Sequence, residues 1–222
     1  MHELTIIQQI TVAILPILFA LSLHEFAHGW TASKLGDPTA KLLGRVTINP
    51  FKHIDPIGTV ILPILLLALG GFIFGWAKPI PITWQNLRRP KRDIAIVALA
   101  GPVANLLMAI IWIGIAKLGS LMIPQISNIG YLLFFMGQTG LIINVIIMVL
   151  NLLPLPSLDG SRVLMGILPT KVSAFYSHLE PYGLFIFLAL LLLPPHPPGL
   201  LGYLISPLIK FFITVLANPF GL

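Results

Sequence analysis

Six stretches of this chain are apolar over lengths that approach or exceed a bilayer crossing, and nothing else in the sequence restricts the fold so strongly. A transmembrane helix takes roughly 17–25 residues. The runs cover residues 6–33, 57–76, 93–118, 130–153, 182–193 (extended on its N-terminal side by "SAFYSHLEP") and 200–216. Only 9% of the 222 residues are charged, where a soluble domain carries about 25%. That leaves too little polar surface to cover a water-exposed globule. The expected fold is an all-α polytopic membrane protein with about five to six transmembrane segments, in one integral-membrane domain over residues 1–222. Its core would occupy about residues 6–168 and its C-terminal helices about residues 179–217.

The chain has no cysteine, which excludes disulfides, thiolate metal sites and cysteine nucleophiles. The net charge of +6 could suggest nucleic acid, but the basic residues sit in short loops between apolar runs. That is the positive-inside pattern, so the charge reads as topology and no nucleic-acid partner is expected. Met1, His2 and Glu3 supply no Lys or Arg, so the N-terminus does not read as a cleavable signal.

Lys34, Lys41, Arg45 and Lys52 follow the first run, Lys78, Arg88, Arg89, Lys91 and Arg92 the second, and Arg162 and Lys171 the fourth. The loop "GSLMIPQISNIG" after the third has none. The N-terminus is therefore expected outside, with the first helix running inward. The second run then has basic residues on both sides. A simple span would place "RRPKR" (88–92) outside, so residues 57–83 are expected to enter the membrane from the cytoplasmic side and return to it. Pro63, Gly70, Gly71, Gly75, Pro79 and Pro81 would help the turn-back. Irregular backbone at membrane depth needs protein or a wet cavity to satisfy it. Lys210, inside the sixth run, reads as snorkelling to the cytoplasmic surface.

One short stretch breaks the apolar pattern. "LHEFAHGW" (23–30) places His24, Glu25 and His28 directly after thirteen uncharged residues. On a helix, positions four apart share a face, with Cβ atoms about 5–6 Å apart. Both imidazoles can then reach one zinc ion at about 2.0–2.1 Å. Glu25 is rotated about 100° from His24 and can work on a water at the metal rather than on the metal itself. With six His and three Glu in the chain, a chance HExxH is expected about 0.002 times. Charges at mid-bilayer cost about 2.5–3.5 kcal/mol each, so such residues are functional suspects by default.

A catalytic zinc needs a third protein ligand and one open position. The extension HExxHxxGxxH fails, because Thr31 and Lys34 stand where Gly and His would be needed. Asp37, His53, Asp55, Asp159, His178, Glu180 and His196 remain as candidates. Asp159 stands out, as it ends "NLLPLPSLDG" (151–160), where Pro154 and Pro156 break the helix after an uncharged run. A broken helix bearing polar groups suits a cavity wall at membrane depth. The fourth run points inward like the first, so Asp159 and the HExxH arrive on the same side. A plain turn would also account for the "LDG" triplet.

The HExxH, "GPVAN" (101–105) and "NLLPLPSLDG" together resemble the site-2 protease family of intramembrane zinc metalloproteases, in that family's motif order. "NPFKHIDPIGTVILP" (49–63) and "FGWAKPIPI" (74–82) are similar to its compact prokaryotic members, without a PDZ or CBS domain. The resemblance covers most of residues 15–165. It implies one Zn2+ per chain held by His24, His28 and Asp159, with Glu25 as general base and then as proton donor to the leaving amine. Asn151 would hydrogen-bond the substrate backbone or the developing oxyanion. The partners implied are transmembrane protein substrates, single-pass ones first, in the lipid bilayer of the plasma membrane, with the active site toward the cytoplasm.

In "GPVAN", Gly101 and Ala104 permit close helix packing, and Asn105 reads as packing glue rather than chemistry. His53 reads as a partner of the ligands, an occupant of the open position, or an interfacial residue at a loop entrance. His178 and His196 read as interfacial. "WAKPIPI" is extended-prone, since residues before Pro avoid the α region, and it could pair with an unwound substrate strand. A metal transporter would use the same ligands, but such proteins show paired repeats and this chain has one copy of each motif. An inactive helix-binding homologue would have no need of Glu25.

Overall fold

The computed structural model describes residues 6–62, 64–65, 75–193 and 199–222. Pro63, Gly70 and Gly71 of the expected turn-back lie outside the described residues, as does His196 in the "PPHPPG" break. The described chain is helical, with α1 Ile6–Leu35, α2 Thr39–Leu42, α3 Pro90–Met122 and α4 Ser127–Leu152, then α5 Asp159–Ile167, α6 Thr170–Ser177, α7 Gly183–Leu192 and α8 Gly199–Ala217. Among the described residues, five helical stretches are long and apolar enough to cross a membrane, within α1, α3, α4, residues 170–192 and residues 199–220. The protein is a multi-pass all-α membrane protein.

Its surface is built for lipid. Ile7, Ile14, Leu107, Ile111, Phe185, Leu204 and Phe211 are exposed along the spans. The interior instead encloses polar side chains, including Ser22, His24, His28, Asn105 and Asn144. This inverts a soluble protein, as expected where the solvent is hydrocarbon and polar groups must find partners inside the fold. Helix α3 is the hub, packing along α1, α4 and α5. Ala109, Ile113, Leu141, Val145, Phe187, Leu191, Leu201 and Ile205 knit α3, α4, α7 and α8 into one core. Pro90 starts α3 at a position where no N–H is needed, and Asp93 in its first turn accepts the Arg89 N–H at 2.8 Å. Lys210 is exposed on α8.

The stretch between α1 and α3 leaves and returns at one end of α1. The Arg88 N–H donates to Leu35 O at 3.0 Å, and Thr83 N–H to the Asp37 carboxylate at 2.8 Å. Within this excursion Lys78 N–H donates to His53 O at 2.8 Å and Trp76 N–H to Gly58 O at 3.1 Å. A π-helical turn, Pro56–Ile61, is capped by Asp55, and residues 75–83, without regular structure, lead back to the end of α1. An ordinary span would separate the two ends of this stretch by a membrane thickness; here they are hydrogen-bonded together. The basic residues at 34 and at 88–92 therefore share a face, as the charge pattern predicts.

Candidate metal centre

Two elements deliver the three donors. His24 and His28 occupy the inner face of α1, 6% and 7% exposed, and Asp159 opens α5, 7% exposed. His24 Nε2 lies 3.1 Å from Asp159 Oδ2, His28 Nε2 lies 3.2 Å from the same oxygen, and the two nitrogens are 3.0 Å apart. No other group of three potential metal-ligating side chains converges among the described residues.

The hydrogen bonds behind the rings say what this triangle can hold. His28 Nδ1 faces Val97 O at 2.7 Å. A carbonyl only accepts, so that nitrogen carries the proton. His24 Nδ1 faces Asn105 Oδ1 at 2.6 Å and donates to it. A neutral imidazole has one ring proton, so both Nε2 atoms turn bare lone pairs toward a carboxylate oxygen that itself has no hydrogen-bond partner. A proton could bridge two of these three atoms; a divalent cation satisfies all three. Tetrahedral zinc with bonds of about 2.0–2.1 Å has edges of about 3.3 Å, close to the observed spacing.

Gly101 on α3 faces the triangle. A Cβ there would collide with His28 Nε2 and lie 2.7 Å from His24 Nε2. Only a residue without a side chain lets α3 come this close to the donor set.

The break before α5 sets Asp159. Helix α4 ends at Leu152, and Ser157 turns the chain with φ 71, a left-handed conformation rare for a residue with a side chain. Ser157 Oγ donates to Glu180 O at 2.9 Å, fixing that turn against the following segment. A Cβ on Gly160 would strike Leu152 O and Leu153 O, so only glycine lets the start of α5 lie this close to the end of α4. The Pro-rich stretch is thus a hinge that brings the "LDG" aspartate back under α1.

Glu25 lies beside the triangle and is half-buried. Its Oε2 accepts the Ile80 N–H at 2.9 Å. Ile80, 7% exposed, packs over α1 at Gly29, against which Val46 also lies. Pro79 and Pro81 flank it, so within "PIP" the single N–H is the one aimed at Glu25.

The remaining candidates serve elsewhere. Asp37, 0% exposed, accepts hydrogen bonds from Thr39, Thr83 N–H and Asn86 Nδ2 and fastens residues 83–86 to the end of α1. Asp55 caps the π-helical turn through Ile57 N–H and Gly58 N–H. His53 is buried with Nε2 donating to Thr47 O at 2.8 Å. His178 is exposed and bonds Ala174 O within its own segment. Glu180 pairs with Arg162 at 3.6 Å. Asn151 Nδ2 donates to Ile147 O of its own helix at 3.0 Å.

Two sequence readings change. Asn105 is more than packing glue, because it hydrogen-bonds His24, one of the candidate ligands. In "WAKPIPI" the N–H groups at Trp76, Lys78 and Ile80 are already taken by Gly58 O, His53 O and Glu25. The role of Ile80 was missed; the isolated N–H between two prolines was its only trace in the sequence.

Comparison with known proteins places this centre in a family. The chain is 38% identical over 185 residues to the "Putative zinc metalloprotease YwhC" of Bacillus subtilis (strain 168), covering 82% of this chain and 80% of that one. It is 34% identical over 179 residues to the "Putative zinc metalloprotease Rip2" of Mycolicibacterium smegmatis, and 33% identical over 180 residues to that of Mycobacterium tuberculosis (strain H37Rv). These matches cover 80% of this chain and 65%, just under two thirds, of each Rip2 protein. No family model matches the chain, and neither does any solved structure. With its likeness to YwhC running through four fifths of both proteins, this chain belongs to the site-2 protease family of zinc metalloproteases.

Proposed function

We propose that the protein is an intramembrane zinc metalloprotease that hydrolyses peptide bonds within or near the transmembrane segments of membrane protein substrates, single-pass ones first. The observation that carries this reading is the convergence of His24 Nε2, His28 Nε2 and Asp159 Oδ2 within 3.2 Å of one another, enclosed among membrane-spanning helices with a carboxylate beside them. A zinc ion held there would supply Lewis acidity, making a water acidic near neutral pH and polarising a carbonyl. Glu25 takes the proton from the attacking water and passes it to the departing amine. The Ile80 N–H holds Oε2 of that carboxylate and leaves Oε1 for the transfer. The family pattern assigns Asn151 to the substrate backbone, a role that requires its amide to leave Ile147 O. The basic residues gathered at the α1 terminus support a cytoplasmic placement of the site.

The test is Glu25→Gln in the purified full chain, with a single-pass substrate in vesicles. It keeps about one zinc per chain and loses cleavage. Normal cleavage by that variant would overturn the mechanism.

A further inference from the structure

We propose that Asn144 is a positioning residue for the metal centre: acting through Asn105, it holds His24 as the tautomer protonated on Nδ1, with the Nε2 lone pair turned to the metal. The inference rests on the metal reading of His24, His28 and Asp159 given above. It follows from the direction in which a chain of hydrogen bonds must run.

The chain starts on α4. Asn144 Nδ2 donates to Gly140 O at 2.8 Å. That backbone oxygen only accepts, so Asn144 must present its Oδ1 to its other neighbour. The neighbour is Asn105 Nδ2 on α3, at 2.9 Å. Asn105 Nδ2 also donates to Ala20 O on α1, at 3.2 Å. Both contacts call for a donor, so Asn105 Oδ1 faces the other way, toward His24 Nδ1 at 2.6 Å.

Turning Asn105 over would set its oxygen against Ala20 O and Asn144 Oδ1, acceptor against acceptor. Its amino group would then face His24 Nδ1, which could only accept. The ring proton would move to Nε2, onto the atom that faces Asp159. One amide orientation thus decides whether His24 offers a lone pair or a proton to the metal.

Burial makes the choice firm. Asn105 and Asn144 are both 0% exposed. At this depth an unpaired amide or carbonyl has no water to turn to, so a reversed relay loses several bonds at once. Packing alone gives no reason for two amides here, since leucine fills a similar volume without polar demands. The bonds run in sequence through α4, α3 and α1, and the last of them ends on a ligand.

The experiment compares Asn144→Leu and Asn144→Asp in the full chain, with zinc affinity measured by chelator competition. Asp, neutral at this depth, can donate its O–H to Gly140 O and accept from Asn105 with its carbonyl. Losing an outer partner of a metal-bound histidine typically weakens binding about 10–100-fold. Asn144→Leu is expected in that range, and Asn144→Asp within about threefold of wild type. Nitrogen NMR of the 15N-histidine-labelled, zinc-free wild-type protein reads the tautomer directly, with His24 assigned by its loss in His24→Ala; Nδ1 is expected to carry the proton.

The proposal falls if folded Asn144→Leu binds zinc as wild type does, if Leu and Asp weaken binding equally, or if wild-type His24 is protonated on Nε2. The NMR measurement stands even where Asn144→Leu fails to fold. A wild-type chain that binds no zinc would remove the metal reading itself, whereas unchanged zinc affinity in Asn144→Leu removes the relay alone.

Discussion

Gly101→Ala is the smallest change that reaches the metal centre. The new Cβ would lie 2.6 Å from His24 Cε1 and 2.7 Å from His24 Nε2, and closer still to His28 Nε2. Real Cβ contacts begin beyond 3.0 Å, so the rings must retreat by about 0.4 Å or more, or α3 must withdraw by as much. Productive sites tolerate about 0.5 Å in all, and metal–ligand distances about 0.2 Å. Withdrawal of α3 also stretches His28 Nδ1–Val97 O and His24 Nδ1–Asn105 Oδ1, since Val97 and Asn105 ride on the same helix. Either route weakens the site, and we expect zinc affinity to fall about 100-fold, roughly 2.8 kcal/mol. Zinc content under graded chelator, measured by mass spectrometry on the purified protein, is the assay. Gly114→Ala is the control, because a Cβ at Gly114 on the same helix meets nothing within 4 Å; it should keep zinc and hold or gain stability by up to about 1 kcal/mol. If Gly101→Ala retains wild-type zinc affinity, the ligands are not where the structure puts them.

The anchoring of residues 36–88 to α1 gives two further expectations. Burial alone would raise the Asp37 carboxyl, but hydrogen bonds from Thr39, Asn86 and Thr83 outweigh it and hold the group below its ordinary value of 3.8. A depressed folded value means the anchor contributes fully above about pH 4 and is lost as pH falls through the folded value. Limited proteolysis of the loop should accelerate on acidification in wild type; Asp37→Asn should be sensitive already at neutral pH and flat below it, and an identical acid profile in the two would refute the anchor. The chain has no cysteine, so single cysteines at Lys34 and Arg89 can be labelled selectively. Both should react with an impermeant maleimide from the same side of the membrane, and labelling from opposite sides would refute the turn-back.

What the sequence could show divides along physical lines. Helix α1, its HExxH and the break before Asp159 were legible because each is encoded locally, by four-residue spacing, by Pro154 and Pro156, and by charge scarcity. The shared side of His24 and Asp159 was legible from loop charges, since parity along a membrane chain is one-dimensional bookkeeping. Asn105 and Asn144 were not, because their meaning depends on which helices touch and at what height. Each looks alone like an ordinary polar residue in a greasy span, and only the three-helix contact shows that the bonds end on His24. Asp37 stayed among the candidate ligands in the sequence for the same reason. A carboxylate announces that it needs partners, and the fold decides whether they are a metal or four protein donors.

The proline-rich stretch at 75–83 shows the same division at the site itself. Its prolines dictate extended backbone and remove N–H groups at Pro79 and Pro81, which the sequence states outright. The edge toward α1 then has donors at Lys78 and Ile80, and both are spent inside the protein, on His53 O and on Glu25. Arg45 caps the carbonyl of Lys78 at 3.0 Å. A substrate strand lying along this edge would therefore compete with bonds the protein already makes. The hydrogen bond it would have to displace nearest the chemistry is a charge-assisted one, worth about 1.5–3 kcal/mol. Strand pairing and the proposed general-base role of Glu25 draw on the same Ile80 N–H, so the segment that could hold a substrate is, in this arrangement, the segment that holds Glu25.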